Sequence, residues 1–219
     1  SSNTKRILLR IKLRRVRGGE MTEKQPRKAL LVVDVQNDFC LGGTLAVPNG
    51  NAVLPLLNIL ISKRSIWDLI LFSSDWLAPV TKHFKEYGGQ WTVHCVEDTY
   101  GAEFHPDLKI PGTAYVISKG MDSKKDAYSP FEGFAYDRPL NEIIRAHNIN
   151  ELYIGGLATD YCVKNAVLDA CKLNYKTYLL IDACKAVNLQ PQDGIKAVIE
   201  MMNAGVEIVT TAEVLSQSR

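Results

Sequence analysis

The chain has 219 residues, of which 46% are hydrophobic and 23% are charged, so it is long and apolar enough to bury a complete core. No apolar run reaches the ~18 residues that a membrane-spanning helix needs, and no membrane span is expected. The formal net charge of +2 is unevenly distributed, because residues 1–20 hold seven basic side chains and one acidic side chain. The remainder carries 19 basic and 23 acidic side chains, a balance that excludes an extended basic surface for nucleic acid.

The N-terminal 27 residues differ in composition from the rest of the chain. Between residues 6 and 17, arginines and a lysine are interspersed with Ile, Leu and Val, and no acid is present. This pattern is typical of an organelle-targeting peptide or a surface-binding helix, and a non-native leader before Met21 explains it equally well. We therefore expect a basic leader or extension over 1–27 and one domain over 28–219.

Five cysteines, an odd number without a Cys-x-x-Cys pair, indicate reduced thiols. They stand at positions 40, 95, 162, 171 and 184. A cytoplasmic location is the resulting expectation, with an organelle as the alternative if the basic segment is a targeting signal.

Six short apolar runs predict strands. The first, 29–34, is continuous and ends in an acid, which is typical of a strand buried on both faces of a parallel sheet. Further runs follow at 69–72, 114–117, 152–154, 177–181 and 206–209, and amphipathic segments that predict helices lie at 53–63, 139–147, 160–173 and 192–204. This alternation predicts a three-layer α/β/α fold, Rossmann-like, around a mostly parallel six-stranded sheet.

The connection over 75–112 breaks the alternation. It is rich in Pro, Gly, His and Trp and has little periodicity. A loop of this length inside a compact domain usually belongs to a binding site. The chain contains neither a Gly-x-Gly-x-x-Gly motif nor a P-loop, so no nucleotide phosphate site is predicted.

Three reactive side chains follow three of the predicted strands: Asp34, Lys119 and Cys162. Because the carboxyl ends of parallel strands meet at one edge of a sheet, we expect these side chains to lie close together. Cys162 falls in the first turn of a predicted helix that Thr159 or Asp160 would cap, where the helix dipole would lower the pKa of its thiol. A thiol nucleophile, a carboxylate base and an orienting ammonium form a workable catalytic set. Taken singly, each also has a structural interpretation, as a buried thiol, a helix cap or a solvated lysine.

Three separated motifs resemble those of the isochorismatase-like cysteine hydrolases. They are Asp-Val-Gln-Asn-Asp-Phe-Cys at 34–40, Gly-Gly-Leu-Ala-Thr-Asp-Tyr-Cys-Val at 155–163, and Ser-Lys-Gly at 118–120 followed by Asp126, Tyr128, Ser129 and Phe131. The resemblance runs from about residue 28 to residue 215. It implies that Asp34, Lys119 and Cys162 are catalytic. It also implies a cis peptide bond joining Leu157 to Ala158, beside an oxyanion site formed by the backbone N–H groups of Ala158 and Cys162.

Within this family, Gly-Gln-Trp-Thr-Val-His-Cys-Val at 89–96 is similar to a segment of the nicotinamidases. The resemblance implies a divalent metal, zinc or alternatively iron or manganese, held by Asp75, His83 and His94. The family's Asp-x-His step is broken, because Leu77 replaces the histidine and cannot bind a metal. Glu86 lies near enough in sequence to contribute an oxygen ligand.

The resemblance also assigns Phe39 and Trp91 to the walls of a substrate site, where a flat heteroaromatic ring would stack and exclude water. Each could instead be a core aromatic. The implied partner is the small molecule nicotinamide, hydrolysed to nicotinate and ammonia in NAD salvage through a cysteine thioester, in a chain that could form a homo-oligomer. The alternatives are another amidase or isochorismatase-type hydrolase acting without metal, and a non-catalytic binding protein on this scaffold.

Overall fold

The computed structural model describes residues 25–217, so residues 1–24 of the expected leader lie outside the described part. The described part has eight strands: β1 (Lys28–Val33), β2 (Leu69–Asp75), β3 (Tyr115–Lys119), β4 (Phe134–Ala135), β5 (Arg138–Pro139), β6 (Glu151–Leu157), β7 (Lys176–Lys185) and β8 (Glu207–Val209). The α-helices of this part are α1 (Val53–Ser62), α2 (Leu140–Ala146), α3 (Lys164–Lys172), α4 (Asp193–Asn203) and α5 (Thr211–Ser216). No helix within 25–217 is long and apolar enough to cross a membrane.

The strands form one sheet in the order β5-β4-β3-β2-β1-β6-β7-β8. The six predicted strands are present and pair in parallel with their neighbours. The expected number of six is too small, because β4 and β5 extend the β3 edge as a short antiparallel pair. Each of these two strands has two residues, too few to show a period in the sequence.

Helices cover both faces of the sheet, which confirms the predicted three-layer α/β/α architecture. In β1, Leu30 and Val32 pack into the core under α1 and α5, while Leu31 and Val33 pack into the core under α2, α3 and α4. Successive side chains of a strand point to opposite faces, so a strand buried on both faces must be apolar at every position. This burial on both faces explains why the first strand of the domain is apolar without interruption.

The parallel register brings four strand ends together. Val33 at the end of β1 lies beside Ser73 on β2 and Gly156 on β6, and Asp75 at the end of β2 lies beside Lys119 at the end of β3. The following connections therefore all leave the same edge of the sheet. The candidate site lies at this edge.

Candidate active site

Lys119 is the centre of a buried polar cluster. Its side chain is fully buried, and its Nζ lies 2.9 Å from Asp34 Oδ2 and 3.4 Å from Cys162 Sγ and also contacts Asp75 Oδ1. Burial disfavours the charge on the lysine, but the carboxylates of Asp34 and Asp75 outweigh burial and raise the pKa of Lys119 well above its ordinary value. The lysine is therefore a permanent cation that holds two acids and a thiol around one point.

Asp34 follows β1 with a φ of 48°, in the left-handed region that non-glycine residues seldom adopt. Its Oδ1 accepts a hydrogen bond of 2.6 Å from the Ser73 hydroxyl. Its Oδ2 has Lys119 Nζ nearby but lacks a hydrogen-bond partner with suitable angles among the described residues. Burial raises the pKa of the Asp34 carboxyl, and the Lys119 charge offsets this only in part. A buried oxygen with free acceptor capacity beside a thiol can take up a proton.

Cys162 lies in a π-helical turn, Thr159–Val163, that leads directly into α3. Neither Thr159 nor Asp160 caps this turn, so that expectation is wrong: Ala158 precedes it, and no side chain makes a capping hydrogen bond. Asp160 is engaged elsewhere, because its two carboxylate oxygens accept the backbone N–H groups of Val187 and Asn188 at 2.9 and 2.8 Å. These bonds tie the cysteine turn to the segment after β7.

The expected lowering of the Cys162 pKa is also wrong. Burial raises the pKa of the Cys162 thiol well above its ordinary value, and the Lys119 ammonium lowers it by less, while Asp34 raises it further. The resting group is therefore a thiol that must lose its proton as it attacks. The peptide bond between Leu157 and Ala158, just before this turn, is cis, as the family resemblance implied.

The donor atoms of Asp34, Asp75 and Cys162 lie within 4.8 Å of one another, a spacing that can hold a metal ion. In this structure Lys119 Nζ contacts all three residues. A divalent ion at the same point would lie against an ammonium group and would be repelled by it. The cation of this cluster is the lysine, and a metal site must be sought elsewhere.

A narrow cleft with a free volume of about 30 Å³ opens above the cluster. Phe39 and Trp91, which the family resemblance assigns to a substrate site, line it together with Asp75, His83, His94, Leu157, Ala158 and Cys162. The sequence did not assign Leu45, Val47, Tyr128, Tyr161 and Val187, which line it as well. The edge of Tyr161 meets the Trp91 ring with centroids 4.8 Å apart, and the Trp91 indole N–H donates to the Tyr128 hydroxyl at 3.0 Å. Trp91 is thus held from two sides.

Two histidines and one carboxylate form a second polar group on the wall of this cleft. His94 Nδ1 is 2.7 Å from the Thr92 carbonyl oxygen, and His83 Nδ1 is 2.5 Å from Asp126 Oδ1. Each ring therefore has its Nδ1 engaged and its Nε2 left for another partner. Burial lowers the pKa of His94, which favours the neutral imidazole that binds metals.

His94 Nε2 faces Asp75 Oδ2 at 3.9 Å, beyond hydrogen-bond distance. The two histidine rings have their centroids 5.3 Å apart. The donor atoms of Asp75, His83 and His94 are not all within 4.8 Å of one another, unlike those of Asp34, Asp75 and Cys162. Two imidazoles and one carboxylate are nevertheless donors that suit a divalent transition metal, and three ligands leave other coordination positions of the ion open. The residues therefore fit such an ion.

Comparison with known proteins identifies the family. The model of the isochorismatase domain matches residues 28–213. The chain belongs to the isochorismatase family. This isochorismatase-family chain is 40% identical to a nicotinamidase of Escherichia coli strain K12, over 86% of this chain and 97% of that protein.

Solved structures agree with this family assignment. A pyrazinamidase of Pyrococcus horikoshii in complex with zinc is 40% identical, with a TM-score of 0.77, and the match covers 84% of this chain and 99% of that one. PnC1 from L. infantum in complex with nicotinate is 28% identical, with a TM-score of 0.79, and the match covers 86% and 95%. The family resemblance drawn from the three motifs is confirmed.

Leu77 is the expected departure of this isochorismatase-family chain from the metal-binding pattern. Its side chain is buried, and its Cδ2 would lie 2.4 Å from a Cβ built on Gly120, so it packs tightly over the residue after Lys119. Leu77 is absent from the lining of the cleft, and so is Glu86, which is exposed on the turn Lys85–Tyr87. The geometry gives no support to Glu86 as an oxygen donor.

Proposed function

We propose that this protein is a nicotinamidase, which hydrolyses nicotinamide to nicotinate and ammonia and so serves NAD salvage. One observation carries the proposal: a thiol, a carboxylate and a lysine meet at the base of a cleft walled by aromatic rings and two imidazoles. The 40% identity with a nicotinamidase along almost its whole length supports the same reaction.

In the first half of the reaction, Cys162 Sγ attacks the carboxamide carbon while its proton passes to Asp34. The raised pKa of the Asp34 carboxyl makes it a competent proton acceptor from a thiol and a competent donor to the departing amine. The C–N bond breaks, ammonia leaves with that proton, and a thioester to Cys162 remains.

In the second half, Asp34 removes a proton from a water molecule that attacks the thioester carbon. The C–S bond breaks, the proton held by Asp34 returns to the sulfur, and nicotinic acid leaves and releases its own proton to the solvent as nicotinate. Lys119 keeps its charge throughout, because Asp75 continues to neutralise it when Asp34 is protonated. We assign the oxyanion of each tetrahedral intermediate to the backbone N–H groups of Ala158 and Cys162.

A divalent metal, when bound, would supply a Lewis acid for the ring nitrogen of the substrate, and Asp75, His83 and His94 would hold it. Zinc is our first choice, since the Pyrococcus relative is a zinc complex. Iron and manganese are alternatives, because a set of two histidines and one carboxylate also suits iron(II). The ring would lie beside Phe39 and Trp91, which orient it by stacking and exclude water.

Turnover of nicotinamide and of benzamide tests this proposal. The two amides differ at one ring atom, so a site that binds the pyridine nitrogen should prefer nicotinamide in kcat/KM, and added zinc, iron(II) or manganese(II) should increase that preference. If the two amides are hydrolysed at equal rates, with and without chelator, the protein is an amidase that does not use a metal. Absence of ammonia from nicotinamide under all these conditions would refute the proposal.

We further propose a cytoplasmic location and a homo-oligomer. The free thiols of all five cysteines support the first proposal. On one face of α4 the exposed side chains of Ile195, Ile199 and Met202 support the second. Fluorescence imaging of the tagged full chain and sedimentation of the purified protein test them.

A further inference from the structure

His83 is held by a partner that the mechanism does not use. Its Nδ1 lies 2.5 Å from Oδ1 of Asp126, a residue 43 positions further along the chain. The histidine side chain is 6% exposed, whereas the Asp126 side chain is 49% exposed. A half-exposed acid therefore reaches inward to a buried imidazole.

The segment around Asp126 fastens the histidine loop at further points. The Ser123 carbonyl oxygen accepts the backbone N–H of Lys82 at 3.0 Å and the hydroxyl of Thr81 at 3.3 Å. Two residues after Asp126, Tyr128 accepts the indole N–H of Trp91. The backbone contacts fix where the loop runs, and the Asp126 contact acts on the orientation of the imidazole ring itself.

The chemistry of imidazole turns this contact into a constraint. A neutral ring carries one N–H and one lone pair, and a carboxylate can only accept. Asp126 therefore selects the tautomer of His83 with the proton on Nδ1, which leaves the lone pair on Nε2. The ring lines the cleft, so this lone pair is available to a ligand there.

We propose that Asp126 is the positioning residue that fixes the tautomer and ring orientation of His83 and so sets the affinity of the site for a divalent metal. The inference rests on the proposed function. The neutral Thr92 carbonyl likewise accepts from Nδ1 of His94 and fixes its tautomer. Asp126 also carries a negative charge, which makes the His83 imidazole a stronger donor to a metal. With Leu77 replacing an expected imidazole ligand, two rings must supply the metal affinity, and the orientation of each has more weight.

Titration of the metal-free protein with zinc against a chromophoric chelator tests this role without using a substrate. Asp126→Ala should weaken zinc binding by about 10- to 100-fold, the usual effect of removing a carboxylate that orients a ligand histidine. Asp126→Asn should lose less, since its amide oxygen still accepts from Nδ1–H. The matched control is Asp122→Ala, since Asp122 is an exposed acid on the same segment and should leave the zinc affinity unchanged.

A second measurement reads the tautomer directly. Two-bond proton–nitrogen correlation spectra of the metal-free protein should show His83 protonated on Nδ1 in the wild type, and a mixture of tautomers in Asp126→Ala. The proposal is overturned if zinc does not bind, or if Asp126→Ala keeps both the zinc affinity and the His83 tautomer of the wild type. If both effects are observed but the protein does not hydrolyse nicotinamide, this inference stands and the proposed function is refuted.

Discussion

Exchanging Asp34 for asparagine removes one negative charge from the lysine cluster with little change of shape. The amide oxygen can still accept from the Ser73 hydroxyl, and Lys119 keeps Asp75 as its counter-ion, so the buried ammonium is not left unpaired. We therefore expect the variant to fold. Two of its properties should change in opposite directions.

Turnover should collapse while the thiol becomes easier to ionise. Loss of a general acid and base costs about 10²- to 10⁴-fold in kcat, or roughly 3 to 5 kcal/mol of transition-state stabilisation. The Asp34 charge raises the pKa of the Cys162 thiol and Lys119 lowers it, so removing Asp34 leaves the lysine unopposed apart from Asp75. The pKa of Cys162 should fall.

Ammonia release and the rate of iodoacetamide alkylation between pH 6 and 10 measure the two effects on the same samples. Cys162→Ala provides the alkylation blank, and Asp122→Asn provides an exposed change of equal charge. The alkylation profile of Asp34→Asn should move to lower pH while kcat falls. A loss of kcat below tenfold, or a profile that moves to higher pH, would contradict the assignment of Asp34 as the proton acceptor.

The other predictions concern the nucleophile, the metal site and stability. Cys162→Ala should retain less than about a thousandth of the wild-type kcat, whereas Cys171→Ala, on α3 away from the cleft, should retain full activity; ammonia release by both variants decides. Leu77→His should increase the zinc retained after dialysis against EDTA, measured by elemental analysis, and equal retention would show that position 77 does not reach the metal. Gly101→Ala should lower the free energy of unfolding by about 1–3 kcal/mol, because its Cβ would lie 2.1 Å from Asp38 Oδ2; an unchanged urea midpoint would show that Asp38 moves aside. Stability should fall as pH rises through 9, because the unfolded chain then releases thiol protons that burial keeps bound in the folded state on Cys162 and also on Cys40, Cys95 and Cys184; Cys162→Ala should make this slope shallower in urea titrations, and an equal slope would contradict the contribution of Cys162.

Much of the fold could be predicted because burial on both faces leaves a strong local signal. The strand β1 is a continuous apolar run, and Asp34 directly after β1 and Lys119 at the end of β3 mark the carboxyl ends of these two strands. The helix α5 was missed although Thr210 and Glu213 form a capping box, a signal that is visible in the sequence. The strands β4 and β5 carry no comparable signal.

The errors at the site come from contacts between residues far apart in the chain. Asp160 fits a helix cap by its position, but the N–H groups of Val187 and Asn188, about 28 positions away, take its carboxylate instead. The pKa of Cys162 is expected to be low from its place at a helix start, whereas the burial that raises it is a property of the packed fold. The contact of His83 with Asp126 is of the same long-range kind.

Mass spectrometry of the intact protein, quenched in acid during turnover of nicotinamide, detects the proposed thioester itself. We expect one nicotinoyl group per chain, located on Cys162 by peptide mapping, absent from Cys162→Ala and accumulated in variants that slow thioester hydrolysis. Hydrolysis of nicotinamide at an undiminished rate by Cys162→Ala, or an adduct on any other residue, would contradict it.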